Sequence, residues 1–129
     1  MKYVFLSFAL SFIFSTATFA AEPTIFNQSK FDEALKSGQP FVVAFHSPSC
    51  GSCKVQKPNL ISALKEESLS NVDGLLADFD STEEFRKQLG KPVRSPSTIL
   101  IFKNGKEVSR IMGETNKDTI LQKILSNIQ

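Results

Sequence analysis

Two cysteines stand three positions apart in the stretch "FVVAFHSPSCGSCK", and Cys50 and Cys53 are the only cysteines in the 129-residue chain. A pair at this spacing has four chemical readings. As a staple it closes a loop of four residues, which the chain-entropy model values at about 2 kcal/mol, less than longer loops give. As a zinc site it supplies two ligands where a closed tetrahedral site takes four, and His46 is the one histidine present. Cu(I) needs only the two thiolates, with His46 or Met112 available to assist. As a reactive pair, one thiolate attacks a substrate disulfide, a mixed disulfide forms, and the second thiol resolves it.

The elements around the pair decide how reactive it is. "FVVAF", residues 41–45, is a short, continuous, β-branched run of the kind that forms a strand buried on both faces. From Gly51 to about Leu69 the apolar residues Val55, Leu60, Ile61 and Leu64 recur at helical spacing, and Pro58 inside this pattern predicts a kink rather than an end. Cys50 therefore falls where strand passes into helix. Backbone N–H groups there lack intrahelical partners and the helix dipole is positive, so a thiolate is favoured. Cys50 is expected to be the more acidic and more exposed thiol, and Cys53, one turn in, the shielded one. Cys50 then attacks and Cys53 resolves; run backward, the same pair donates a disulfide. Ser52 either hydrogen-bonds a sulfur or fills the turn. His46 is either a protonated imidazole that stabilises the thiolate or a half-buried histidine bonded to backbone.

The rest of the chain supplies a scaffold. In "SKFDEALKSGQP" the spacing of Phe31, Ala34 and Leu35 predicts an amphipathic helix, capped by Asn27 or Ser29 and stopped by Gly38. "VDGLLADFD" reads as a second strand, with Gly74 weakening its start. Ser81 and Glu84 have capping-box spacing and open a helix of two to three turns. Asn104-Gly105 is a hairpin signal that pairs residues 98–102 with 107–112. "KDTILQKILSNI" carries Ile120, Leu121, Ile124, Leu125 and Ile128 on one stripe, with Thr115 or Asn116 as cap. With a short edge strand at residues 24–26, the order predicts an α/β fold: a central mixed sheet of four to five strands flanked by about four helices.

The first twenty residues carry one charge, Lys2, ahead of a run of Phe, Leu, Ile, Ala and Ser. They read as a secretory signal peptide, with Thr18 and Ala20 as the small residues before a cleavage point at Ala21. An uncleaved anchor is the competing reading. The expected organisation is a signal over 1–20 and one domain over 21–129, exported to the periplasm of a Gram-negative bacterium or otherwise secreted, where a disulfide persists. Fifteen Lys and Arg face thirteen Asp and Glu. A balance this even argues against electrostatic binding of nucleic acid. The chain has no Trp, and its one Tyr leaves with the signal. The aromatic core then consists of Phe26, Phe31, Phe41, Phe45, Phe79, Phe85 and Phe102.

Taken together the motifs resemble the thioredoxin superfamily over nearly all of residues 22–129. "FVVAFHSPSCGSCK" leading into a helix, Pro58 five residues after Cys53, "LLADFDS", the hairpin "ILIFKNGKEV" and Gly113 before the last helix carry the resemblance. It implies a thiol-disulfide oxidoreductase in which Cys50 is the nucleophile, Cys53 the resolving thiol, and the two form a disulfide when oxidised. It also implies protein substrates with thiols or disulfides, a membrane redox partner as a further candidate, a monomer, no cofactor and no bound metal.

The sequence departs from the family at three places. Ala44 stands where many members carry a buried acid in the central strand. His46, Ser47, Pro48 and Ser49 replace the aromatic residues that usually flank the motif. The family's cis-proline position falls on Ser97, with Pro96 one residue early, so Ser95, Pro96, Ser97 and Thr98 are expected to shape the site. The strand register from Thr98 onward favours Ser97 in that position, with a trans peptide bond. Two other functions stay open: a copper-binding or copper-delivery protein using the same pair, which the lack of further Met, His or Cys near the motif disfavours, and a redox-inactive interaction module.

Overall fold

In the computed structural model, which describes residues 22–129, the apolar run becomes the strand Phe41–His46 at the centre of a five-stranded sheet. The expected signal segment and its cleavage point lie outside the described residues. In chain order the elements are β1 (Thr24–Ile25), α1 (Gln28–Ser37), β2 (Phe41–His46), α2 (Gly51–Leu64), β3 (Asp73–Asp78), α3 (Glu83–Gln88), β4 (Thr98–Lys103), β5 (Lys106–Met112) and α4 (Lys117–Ile128).

The sheet order is β1-β3-β2-β4-β5. β2 runs parallel to β3, a pairing that requires a crossover, and α2 supplies it. β4 lies antiparallel to β2 on the other side, and the hairpin adds β5 as an edge. At the hairpin Asn104 and Gly105 both take positive φ, 53° and 74°, the left-handed pair that a tight two-residue hairpin turn demands. The mixed sheet and its four helices match the architecture expected from the sequence.

Side-chain alternation on the central strands divides the core in two. Val42, Ala44, Ile99 and Ile101 face one side and pack with Leu60 and Leu64 of α2 and Ile120 and Ile124 of α4. Phe41, Val43, Phe45, Leu100 and Phe102 face the other, against Phe31 of α1 and Phe85 of α3. The aromatic side is tied by ring contacts, with Phe31 edge-on to Phe41, Phe85 and Phe102 at centroid distances of 5.8, 4.8 and 5.4 Å. The helix ends follow local chemistry. The Asn27 side chain accepts from Lys30 N–H, Gly38 ends α1 at φ 70°, and the Asn116 side chain accepts from Thr119 N–H.

Three local expectations are corrected. α2 ends at Leu64, and a separate 3₁₀ turn, Glu67–Leu69, follows because Glu66 is extended (φ −64°, ψ 140°). Val55 does not belong to the buried stripe: it is 50% exposed, and the inward face runs through Cys53, Gln56, Leu60, Ala63 and Leu64. The capping box does not form. A 3₁₀ turn, Asp80–Thr82, precedes α3, and Ser81 sits inside it with its N–H bonded to Asp78 Oδ2 at 2.8 Å. α3 is accordingly only six residues long.

Candidate active site

The residues after β2 form a short approach to the cysteines that is locked by its own hydroxyls. Ser47, nearly buried, donates from Oγ to Asp80 Oδ2 at 2.9 Å. Its single proton is thereby used, so Ser49 Oγ donates to it across 3.1 Å. The Cys50 N–H bonds Ser47 O at 3.1 Å, closing the turn that delivers the sulfur to α2.

Cys50 is the N-cap of α2 in extended backbone (φ −89°, ψ 113°), and its Sγ accepts from Cys53 N–H at 3.2 Å. A sulfur thus takes the place of the usual capping oxygen. Ser52 Oγ lies 3.4 Å from the same sulfur and can donate to it. These donors, with the positive end of the helix dipole, all favour negative charge on Cys50. Cys50 is half-buried, while Cys53 faces inward at 3% exposure. The two are joined by a disulfide, with Cα atoms 5.3 Å apart.

Behind Cys53 lies a polar constellation centred on Gln56, whose burial the sequence reading missed. Gln56 is fully buried. Its Nε2 donates to Ser97 O and to Glu114 O, both at 2.9 Å. Two carbonyl partners require the amide nitrogen at that position, which fixes the amide orientation and leaves Oε1 as an acceptor. Oε1 faces His46 Nε2 at 3.0 Å, so the imidazole donates from Nε2. The only hint in the sequence is that Gln56 stands three residues after Cys53 and four before Leu60, on their helical face.

His46 is half-buried, as one expectation had it, but its ring is bonded to the Gln56 side chain and not to backbone. Desolvation is the largest influence and holds its pKa below the ordinary histidine value, the Gln56 bond opposes this, and Lys57 adds to the lowering. A neutral ring with its proton on Nε2 leaves Nδ1 as a bare acceptor, and that atom is buried without a hydrogen-bond partner. The cation expected to stabilise a thiolate is therefore disfavoured.

The segment 95–98 reaches the site through Gln56. Ser97 adopts φ 62° and is 2% exposed. Its N–H bonds Phe45 O at 2.8 Å, and its carbonyl accepts from Gly113 N–H at 2.9 Å as well as from Gln56. All described peptide bonds, including those at Pro96 and Ser97, are trans. Thr98 Oγ1 donates to Ser95 O at 2.9 Å, and Ser95 and Pro96 are half-buried. Two arginines hold the residues just upstream: Arg86 donates to Phe79 O and Val93 O, and Arg110 to Lys91 O and Pro92 O. Met112 pairs with Thr98 at the sheet edge and is exposed. Among the described residues no group of three or more His, Cys, Asp or Glu is gathered to hold a metal ion.

A family model described as thioredoxin matches residues 22–126. The thioredoxin of Chlamydia muridarum is 36% identical over 100 residues, covering 78% of this chain and 93% of its own. Bloodstream-specific protein 2 of Trypanosoma brucei brucei is 28% identical over 108 residues, covering 84% of this chain. The chain spans only about a fifth of the length of that protein and of a second long relative from Schizosaccharomyces pombe, at 21% and 20%. Among solved structures, Trxlp from Edwardsiella tarda superposes with a TM-score of 0.72 at 25% identity, covering 78% of this chain and 96% of that one.

Proposed function

Because the chain belongs to the thioredoxin family, we propose that it is an exported protein that exchanges disulfides with protein substrates through Cys50 and Cys53. Thiol-disulfide oxidoreductase activity is supported by its thioredoxin relatives and by a Cys-x-x-Cys pair held at bonding distance. The observation that carries the reading is the contrast within the pair: Cys50 caps α2 with donors aimed at its sulfur, whereas Cys53 is buried behind it.

The step runs in two parts. The Cys50 thiolate attacks one sulfur of a substrate disulfide, and the other substrate sulfur leaves as a thiolate. Cys53 then attacks Cys50 Sγ, the protein disulfide forms, and the second substrate thiol is released. Substrate reduction and substrate oxidation are the two directions of this one exchange. Export rests on the charge-poor apolar segment at residues 3–20 and the small residues before Ala21.

A Cys53→Ser variant retains the attacking thiol and lacks the resolving one. Expressed with its N-terminal segment, it is expected to accumulate mixed disulfides through Cys50 in the exported fraction, and the purified wild-type domain is expected to reduce insulin with dithiothreitol as electron source. No trapped partner together with no insulin reduction defeats the oxidoreductase reading. Retention of the whole chain in the cytoplasm, with residues 1–20 still attached, defeats export.

A further inference from the structure

The resolving step leaves a proton to be placed. Cys53 must lose its S–H proton before it can attack Cys50, and at 3% exposure it has little direct contact with bulk water. A cavity of about 560 Å³ opens against Cys53 and is lined also by His46, Lys54, Lys57, Leu76 and Asp78. Lys54 and Lys57 are cations and have no lone pair to offer. Asp78 is exposed and its Oδ2 already accepts from Ser81 N–H. Two further carboxylates near these elements are engaged elsewhere: Asp80 accepts from Ser47, and Glu114 Oε1 from Thr115 and Asn116 N–H.

His46 differs from all of these. Gln56 pins its Nε2–H, which leaves Nδ1 the basic nitrogen, and Nδ1 is a buried acceptor with no partner while the cysteines are disulfide-bonded. A buried acceptor without a donor is costly. It is explained if its donor exists only in the other redox state.

Resting on the oxidoreductase reading above, we propose that His46 Nδ1 accepts the Cys53 proton during resolution, and that Gln56 is the positioning residue that orients the imidazole for it. The balance is complete within the site. The proton passes from Cys53 Sγ to Nδ1, and the sulfur electron pair attacks Cys50 Sγ. The bond between Cys50 and the substrate sulfur breaks, and the departing sulfur takes its electron pair. That thiolate takes the proton from the imidazolium, or leaves ionised while the imidazolium releases its proton to solvent, and either way His46 returns to neutral. In reverse the imidazolium reprotonates Cys53 as the pair is reduced. Burial keeps the ring neutral at neutral pH, so the acceptor is ready before the step begins. Gln56 also bonds Ser97 O and Glu114 O, so one amide sets the acceptor and the loops around it in a single geometry.

The test separates resolution from attack. A mixed disulfide between Cys50 and 5-thio-2-nitrobenzoate, trapped in acid, is jumped to a series of pH values, and release of the yellow thiolate by Cys53 is followed in a stopped-flow instrument. Wild-type release is expected to fall off in acid with an inflection below the ordinary histidine range. His46→Gln keeps a donor toward Gln56 but has no basic nitrogen. It is expected to lose that inflection and slow release at neutral pH by about 100-fold, the lower end for a lost general base, while alkylation of Cys50 changes by less than about twofold, within the worth of one hydrogen bond. Gln56→Glu, which keeps an acceptor for His46, is expected to retain the inflection that Gln56→Met loses. Release from His46→Gln that matches wild type at every pH overturns the proposal. No release from wild type at any pH overturns the oxidoreductase reading itself.

A measurement on wild type alone guards against misfolded variants. His46 is the sole histidine, so its ring nitrogens give unambiguous ¹⁵N resonances. Reduction of the disulfide is expected to shift Nδ1 and to couple the His46 titration to Cys53. An imidazole spectrum and titration identical in the two redox states contradicts the assignment.

Discussion

The outer and inner sides of the first two turns of α2 are built on opposite principles. On the outer side Pro48, Ser49 and Ser52 are exposed around a half-buried Cys50, and the groups that meet its sulfur are an N–H and a hydroxyl. On the inner side Cys53, Gln56 and Ser97 are buried, and each polar contact of Gln56 goes to another element of the protein. The outer side stabilises charge and faces solvent. The inner side fixes geometry. The difference teaches that two chemically identical thiols are made unequal by placement alone, three residues apart on one helix.

The largest effect expected from breaking this contrast is at the outer sulfur. Cys50→Ser removes the nucleophile and is expected to abolish insulin reduction with dithiothreitol, with thermal unfolding still cooperative because the residue is not part of either core. On the inner side, Gln56→Leu removes the partner of the His46 N–H and of the part-buried Glu114 O, and one of the two partners of Ser97 O, which keeps Gly113 N–H. Denaturant unfolding is expected to show a loss of about 2–4 kcal/mol, given that each abandoned buried group costs roughly 1–3 kcal/mol. A loss below 1 kcal/mol, on the order of a single net hydrogen bond, contradicts the view of Gln56 as the pin of the inner wall.

Smaller changes sharpen the comparison. Ser52→Ala removes one donor from the outer sulfur. Alkylation of Cys50 at neutral pH is expected to slow about threefold, the equivalent of a modest bond of about 0.7 kcal/mol, with no change in the rate at Cys53. The smallest effect is a pH dependence of stability. His46 binds a proton less readily in the folded chain than in the unfolded one. The unfolded state therefore holds more protons between the folded value and about 6.5, the ordinary histidine value. Stability is full above that window and is lost as pH falls through the folded value. Comparison of urea midpoints for wild type and His46→Gln on acidification is expected to reveal this component in wild type only.

Much of this arrangement was legible in the sequence, and the limits are physical. β2, the β4–β5 hairpin, α1 and α4 follow from signals that are local: a β-branched run, Asn104-Gly105, and apolar stripes with Asn27, Gly38 and Asn116 at their ends. Cys50 at the N-terminus of α2 follows from the junction between strand and helix. Gln56 was not legible because a glutamine on a helix is ordinarily solvated, and its burial depends on carbonyls 41 and 58 residues away in sequence. Val55 misled for the matching reason: apolar character does not determine a face when the face is set by Cys53 and the loops packed against it. The Ser81 cap failed because Asp78 took the Ser81 N–H first, a competition between two local hydrogen bonds that spacing alone does not rank.

The inequality of the two thiols is the central claim, and one measurement reaches it directly. The fully reduced protein is pulsed with limiting iodoacetamide at neutral pH, digested, and the labelled cysteine identified by mass spectrometry as a function of time. The account predicts that Cys50 is alkylated well before Cys53, with Cys53 reacting only once the chain is unfolded. Equal labelling of the two, or Cys53 first, contradicts it.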